Sequence, residues 1–192
     1  MDYLVYNLAD LSAEAADFSI LLPDEQKEAE RRGPRYALIR TLLRKELARR
    51  TSVAAQDIHF EYGPHGKPEC LLQHFNISHS GDCLCLAFHH RPIGVDVERI
   101  RERNFKALAA RFMAPEQFEQ FCARGCTQED FFPCWCAAEA LVKHAGDTMW
   151  NARHYPFLYR HGRIQCVFDS APQVCLFTPM PGYCGAVACS LP

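Results

Sequence analysis

A chain of 192 residues is long enough for one sizeable core, or two small lobes sharing an interface, and short for two independent enzyme domains. Its 48% hydrophobic and 23% charged residues exclude a disordered or collagenous chain, and a net charge of −2 sets up no global field toward nucleic acid or a membrane surface. No apolar run approaches the roughly 18 residues that span a bilayer, and Asp2 stands where a signal peptide wants basic charge. The expectation is a cytoplasmic monomer with neither nucleic acid nor membrane as partner. Its 11 cysteines are odd in number, which argues for reduced thiols acting as small hydrophobes. Cys122, Cys126, Cys134 and Cys136 suggest a rival reading as a zinc-binding interaction protein, although they lack paired C-x2-C knuckles.

In chain order, Asp24 to Glu30 is acidic, and the next segment is basic through Arg31, Arg32, Arg35, Arg40, Arg44, Lys45, Arg49 and Arg50. From Arg35 to Arg49, Leu38, Ile39, Leu42, Leu43 and Leu47 recur at helical spacing, so an amphipathic helix is expected there, its charges read as a solvated face or a local cationic cluster. Gly63, Pro64, Gly66 and Pro68 then mark a turn-rich loop carrying Lys67. Phe75 and Ile77 alternate with polar residues, His79 to Asp82 form a turn, and Leu84, Leu86 and Phe88 resume a period of two, which reads as two strands. A third strand is expected over Ile93 to Ile100, then helices over Asn104 to Phe112, Glu116 to Phe121 and Phe132 to Ala145, the last stopped by Gly146. Short strands follow near Tyr155 to Tyr159, Ile164 to Phe168, Val174 to Phe177 and Tyr183 to Ser190. Helix then strands, twice over, predicts an α+β fold of two lobes meeting near residue 100, divided as 1–100 and 101–192.

Three elements carry candidate chemistry. A strand through Gly94-Val95-Asp96-Val97-Glu98 sends the valines to one face and both carboxylates to the other, which suits magnesium, an ion that takes one or two carboxylates and fills its shell with water and phosphate. Trp135, Glu139 and Lys143 share one stripe of the late helix, where Glu139 offers a further carboxylate or a base, and Lys143 a cation for a phosphate. Asn76-Ile77-Ser78-His79-Ser80-Gly81 is a polar strand end whose Ser78 and His79 can hydrogen-bond a phosphate. No G-x-S-x-G elbow, phosphate loop or G-x-G-x-x-G turn is present.

FNISHSG at 75–81, GVDVE at 94–98 and W-x-x-x-E-A-x-x-K-x-x-G at 135–146, with GKP upstream at 66–68, together resemble the 4'-phosphopantetheinyl transferases of the Sfp type. The resemblance implies a pseudo-twofold α+β fold that binds coenzyme A between its lobes. It implies magnesium held by Asp96, Glu98 and Glu139, and nucleotide and phosphate contacts by Lys67, Ser78, His79 and Arg35. It also sets Lys143 against the pyrophosphate, with Glu139 as base. The implied reaction moves phosphopantetheine to a serine of an apo acyl or peptidyl carrier protein and releases 3',5'-ADP. Arg99, Arg101, Arg103 and Lys106 form the expected docking rim for the acidic carrier. One departure is that the family's W-x-x-K-E-A motif has Ala138 in its lysine position here, which suggests an alternative: a catalytically weakened relative that binds coenzyme A or a carrier without efficient transfer.

Overall fold

The computed structural model of the chain describes residues 1–190. Its elements are β1 (Asp2–Asn7), α1 (Pro23–Arg32), α2 (Pro34–Thr51), the short β2 (Glu61–Tyr62) and β3 (Pro68–Glu69), β4 (His74–Ser80), β5 (Cys83–His89) and β6 (Ile93–Arg99). After these come α3 (Phe105–Phe112), α4 (Pro115–Ala123), α5 (Gln128–Ala145), β7 (Phe157–Arg160), β8 (Arg163–Cys166), β9 (Gln173–Phe177) and β10 (Tyr183–Cys189).

Two antiparallel three-stranded sheets organise the molecule, ordered β1-β5-β4 and β6-β10-β9. In each, the first strand leads to a long helix, α2 or α5, and the chain returns through two antiparallel strands, the last of which takes the central place. The α+β architecture and its pseudo-twofold repeat are therefore present in the connectivity. β6 pairs along its whole length with β10, so by hydrogen bonding the second βαββ unit begins at Ile93, and a cut at residue 100 would sever β6 from its partner.

The packing follows from side-chain period. Leu38, Leu43 and Leu47 of α2 bury against Leu84, Leu86 and Phe88, which lie on one face of β5. The opposite face of β5, Cys83, Cys85 and Ala87, meets Ile93, Val95, Val97 and Val187 of the second sheet. β5 is thus covered on both faces, and the reduced thiols of Cys83 and Cys85 act there as small hydrophobes. Truncating Leu43 or Leu47, each 0% exposed, should cost about 2–5 kcal/mol. In the second unit, α5 packs through Phe131, Phe132, Ala137, Ala140 and Leu141 onto α3, α4 and β10. A Cβ on Gly94 would lie 2.0 Å from the Ala140 carbonyl oxygen, so the bare backbone of β6 at this position is what lets α5 approach it.

Several elements differ from expectation. β1 and α1 carry weak periodic signals; Pro23 heads α1, and Glu25 closes its first turn by accepting the Leu22 N–H. α5 starts at Gln128 rather than Phe132, because Thr127 caps it by accepting the Asp130 N–H at 3.3 Å and Pro133 is accommodated inside the helix. Arg40 and Arg44 are not a solvated face: they are 5% and 0% exposed, each donating to Glu25 at 2.6 Å. Cys134 and Cys136 are buried in the second core, while the Cys122 and Cys126 thiols touch at 3.7 Å, so the four cysteines of the zinc reading do not converge.

Candidate active site

β4 and β6 belong to different sheets, yet they are joined along their length by side chains of β4. Asn76 Oδ1 accepts the Val95 N–H at 2.8 Å, Ser78 Oγ accepts that of Val97 at 3.2 Å, and Ser80 Oγ accepts that of Arg99 at 3.1 Å. Three N–H groups on the open edge of β6 are thereby satisfied without a main-chain ladder. The same two hydroxyls donate to the carboxylates of β6, Ser78 to Asp96 Oδ1 at 2.9 Å and Ser80 to Glu98 Oε2 at 2.7 Å. Ser78 is buried in this joint and is held by protein partners on every side, so the structure places it under the carboxylates, in contact with Asp96 rather than on the cavity wall.

Asp96 is 2% exposed. Its Oδ1 also receives Lys143 Nζ at 2.7 Å, whereas Oδ2 is buried with no partner among the described residues. Lys143 lies 3.4 Å from Glu139 Oε2 and 3.1 Å from Ser78 Oγ. Burial raises the Glu139 carboxyl to about 6, with repulsion from Asp96 and Glu98 adding to the rise and the Lys143 ammonium opposing it. Burial alone would lower Lys143, but Asp96 and Glu139 outweigh it and keep the ammonium above its ordinary value. Asp96 and Glu139 therefore flank one cation, with Glu98 close enough to raise the Glu139 carboxyl.

Among the described residues no three acidic, histidine or cysteine side chains close into a preformed cage. Magnesium requires none, since water and substrate phosphate complete its octahedron. An unpartnered Asp96 oxygen, an all-oxygen donor set and an excess of negative charge fit a hard divalent ion at Asp96, Glu98 and Glu139.

Beside the carboxylates lies a cationic cleft. A cavity of about 380 Å³ is lined by Arg32, Arg35, Tyr36, Arg40, Ile77 and His79, and a second of about 210 Å³ by Lys67, Pro68, Ile77, Lys143 and Asp147. Ile77 lines both. Burial lowers the His79 imidazole, and Arg35, Lys143 and Arg32 push it further down, so it is held toward the neutral form. Arg35 reaches from the head of α2 to the β4–β5 turn, donating to the Gly81 carbonyl at 2.6 Å and pairing with Asp82 at 2.8 Å. Lys67 donates to the Lys143 carbonyl at 2.7 Å and toward that of Ile93 at 3.4 Å, fastening its loop to the second unit; burial lowers its ammonium. A larger cavity of about 550 Å³ lies around Lys67, Glu69, Cys70, His74 and His144; none of the three cavities is lined by Asp96, Glu98 or Glu139 themselves.

A family model for the 4'-phosphopantetheinyl transferase superfamily matches residues 92–176, which contain β6 and α5 with Asp96, Glu98, Glu139 and Lys143. The chain is 26% identical to the 4'-phosphopantetheinyl transferase Sfp of Bacillus subtilis over 99% of its own length and 92% of that protein. These two matches support a 4'-phosphopantetheinyl transferase of the Sfp type. It is also 29% identical to the transferase gsp of Aneurinibacillus migulanus, over 69% of this chain and 61% of that one. It is 38% identical to the transferase AcpT of Salmonella typhi, over 47% of this chain and 50% of that one. The holo-[acyl-carrier-protein] synthase of Thermotoga maritima superposes on 50% of the chain and 60% of its own with a TM-score of 0.39 and 19% identity.

Within this transferase, Ala138 is 2% exposed and packs inside the second core. Trp135 faces the same core, stacked on Phe131 and edge-on to Phe112. Arg99 at the end of the carboxylate strand and Arg101, Arg103 and Lys106 beyond it are all exposed. Sequence reasoning missed Tyr183, whose hydroxyl crosses from the second sheet to accept the Asp82 N–H at 3.1 Å. Gly81, at φ 52, is where that crossing happens: a Cβ there would lie 2.7 Å from the Tyr183 hydroxyl. A glycine in the turn and a tyrosine about a hundred residues on carry no shared local signal.

Proposed function

We propose that the transferase moves the 4'-phosphopantetheine arm of coenzyme A to a serine of an apo acyl or peptidyl carrier protein, with magnesium as cofactor and 3',5'-ADP as the other product. The observation that carries the reading is the pairing of Asp96 and Glu139 with Lys143, with Glu98 close enough to raise Glu139, near a cleft lined by Arg32, Arg35 and His79. Such a surface accepts a polyphosphate on its cationic side while leaving acidic oxygens for a divalent ion. Magnesium held at the carboxylates would neutralise charge on the pyrophosphate.

The chain's own residues then act as follows. Arg35 and His79 take phosphate oxygens, and Lys67 holds its loop over the nucleotide. Glu139, with a carboxyl near 6, is ionised at neutral pH and accepts the carrier serine's proton, directly or through a water. The serine oxygen bonds to the phosphorus that bears pantetheine as the bond to the ADP oxygen breaks. Lys143 exchanges part of its contact with Asp96 for the leaving phosphate and balances its charge. Among the described residues no helix is long and apolar enough to cross a membrane.

The test is mass spectrometry of apo acyl and peptidyl carriers incubated with coenzyme A, magnesium and the enzyme. The expected result is one added phosphopantetheine per carrier and one equivalent of 3',5'-ADP. Binding of coenzyme A with no mass gain on any carrier would overturn the proposal.

A further inference from the structure

The side-chain joint between β4 and β6 does more than connect the units. A serine hydroxyl has one proton to give, and the groups that donate to it decide where that proton goes. At Ser80 the Arg99 N–H donates to Oγ at 3.1 Å, and the hydroxyl proton is directed at Glu98 Oε2, 2.7 Å away. One oxygen of Glu98 is thus tied to a group that is itself fixed by the β6 backbone. The arrangement repeats one step along the strand, where Ser78 takes the Val97 N–H and gives its proton to Asp96 Oδ1 while Oδ2 is left unpartnered. One step further back, Asn76 takes the Val95 N–H, and Gly94 has no carboxylate to receive anything. Hydroxyls therefore stand opposite the two acidic positions of β6 and an amide opposite the position without one.

We propose that Ser80 is a positioning residue for Glu98: its hydroxyl fixes one carboxylate oxygen so that the other is presented to the divalent ion. The inference rests on the metal role given to Glu98 in the proposed function. Ser80 is distinct from Ser78, whose hydroxyl also receives Lys143 and whose loss would disturb the ammonium as well. An oriented ligand loses less freedom on coordination, and removal of such a supporting hydrogen bond typically costs about 10- to 100-fold in metal affinity.

The experiment compares the parent with Ser80→Ala and Ser80→Thr by calorimetric titration of magnesium chloride into enzyme saturated with coenzyme A, alongside thermal melts in EDTA. Ser80→Ala should bind magnesium about 10- to 100-fold more weakly while melting close to the parent in EDTA, and Ser80→Thr, which keeps the hydroxyl, should recover the affinity. The KM for coenzyme A should move less than that for magnesium. If Ser80→Ala does not fold, Ser80→Val replaces it, since valine and threonine differ chiefly in the hydroxyl. Parent-like magnesium affinity in the variant without a hydroxyl, or a threonine variant no tighter than it, overturns the inference while leaving the proposed function standing. A parent that binds no magnesium and transfers nothing overturns both.

Discussion

Each βαββ unit contains a charged cluster, and the two are built on opposite terms. In the first, Glu25 takes Arg40 and Arg44 at 2.6 Å each, Arg44 also donates to the Ala55 and Ile58 carbonyls, and both guanidiniums lie over the Phe60 ring. Arg44 Nη2 is buried without a partner among the described residues. In the second, Lys143 serves Asp96 and Glu139 with Glu98 nearby, and Asp96 Oδ2 is buried without a partner. The first cluster sets two guanidiniums on one carboxylate and holds α1, α2 and the 55–60 segment together; the second sets an excess of carboxylate on one ammonium. Removing an anion should therefore harm the fold in one place and the chemistry in the other.

The largest effect should come from Glu25→Ala, which strands two buried guanidiniums. It should cost about 3–5 kcal/mol, read as a lower denaturant midpoint at unchanged slope. A variant as stable as the parent would show that the first cluster is incidental. Asp96→Ala should lower transfer by about 10²–10³-fold or more, with a much smaller stability loss because Lys143 keeps Glu139 and Ser78. Near-parent turnover across a magnesium series would remove the role assigned to that carboxylate.

Glu139 sharpens the contrast through pH. Its carboxyl titrates near 6 in the fold against 4.5 for the ordinary side chain, so between these values the folded state binds more proton than the unfolded. Parent stability should fall as pH rises through that window and stay reduced above it, because the ionised carboxylate is disfavoured among Asp96 and Glu98. Glu139→Gln escapes this penalty. In metal-free buffer it should be about 2 kcal/mol more stable than the parent above pH ~6, with the gap closing below pH ~4.5. A gap independent of pH would contradict the repulsion argument.

The smallest effect concerns the exposed rim. Charge reversal at Arg101 and Arg103 should raise the KM for an acidic carrier severalfold with little change for coenzyme A, and the difference should shrink as salt is added. An unchanged carrier KM would exclude this surface.

What the sequence makes legible is what local period controls. Alternation along 94–98 sets Asp96 and Glu98 opposite Val95 and Val97, and the i, i+4 step puts Glu139 and Lys143 on one helix face; both hold in the structure. The partners these residues find across the molecule are not legible in the same way. Lys67 spends its ammonium on the Lys143 and Ile93 carbonyls, Ser78 lies under Asp96, and Tyr183 reaches the Gly81–Asp82 turn, all because two units dock through β4 and β6 without a shared main-chain ladder. Buried Arg40 and Arg44 are missed for a related reason: helical spacing marks Leu38, Leu43 and Leu47, but Glu25, the carboxylate that allows the arginines inside, belongs to a different helix.

The claim that the surplus carboxylates serve a divalent ion in transfer is tested most directly by the rate of holo-carrier formation as magnesium is added back to EDTA-stripped enzyme, with coenzyme A and apo-carrier saturating. The account predicts no transfer in EDTA, a saturable rise with magnesium in the parent, and no comparable rise in Asp96→Ala. Full transfer by the stripped parent would contradict it.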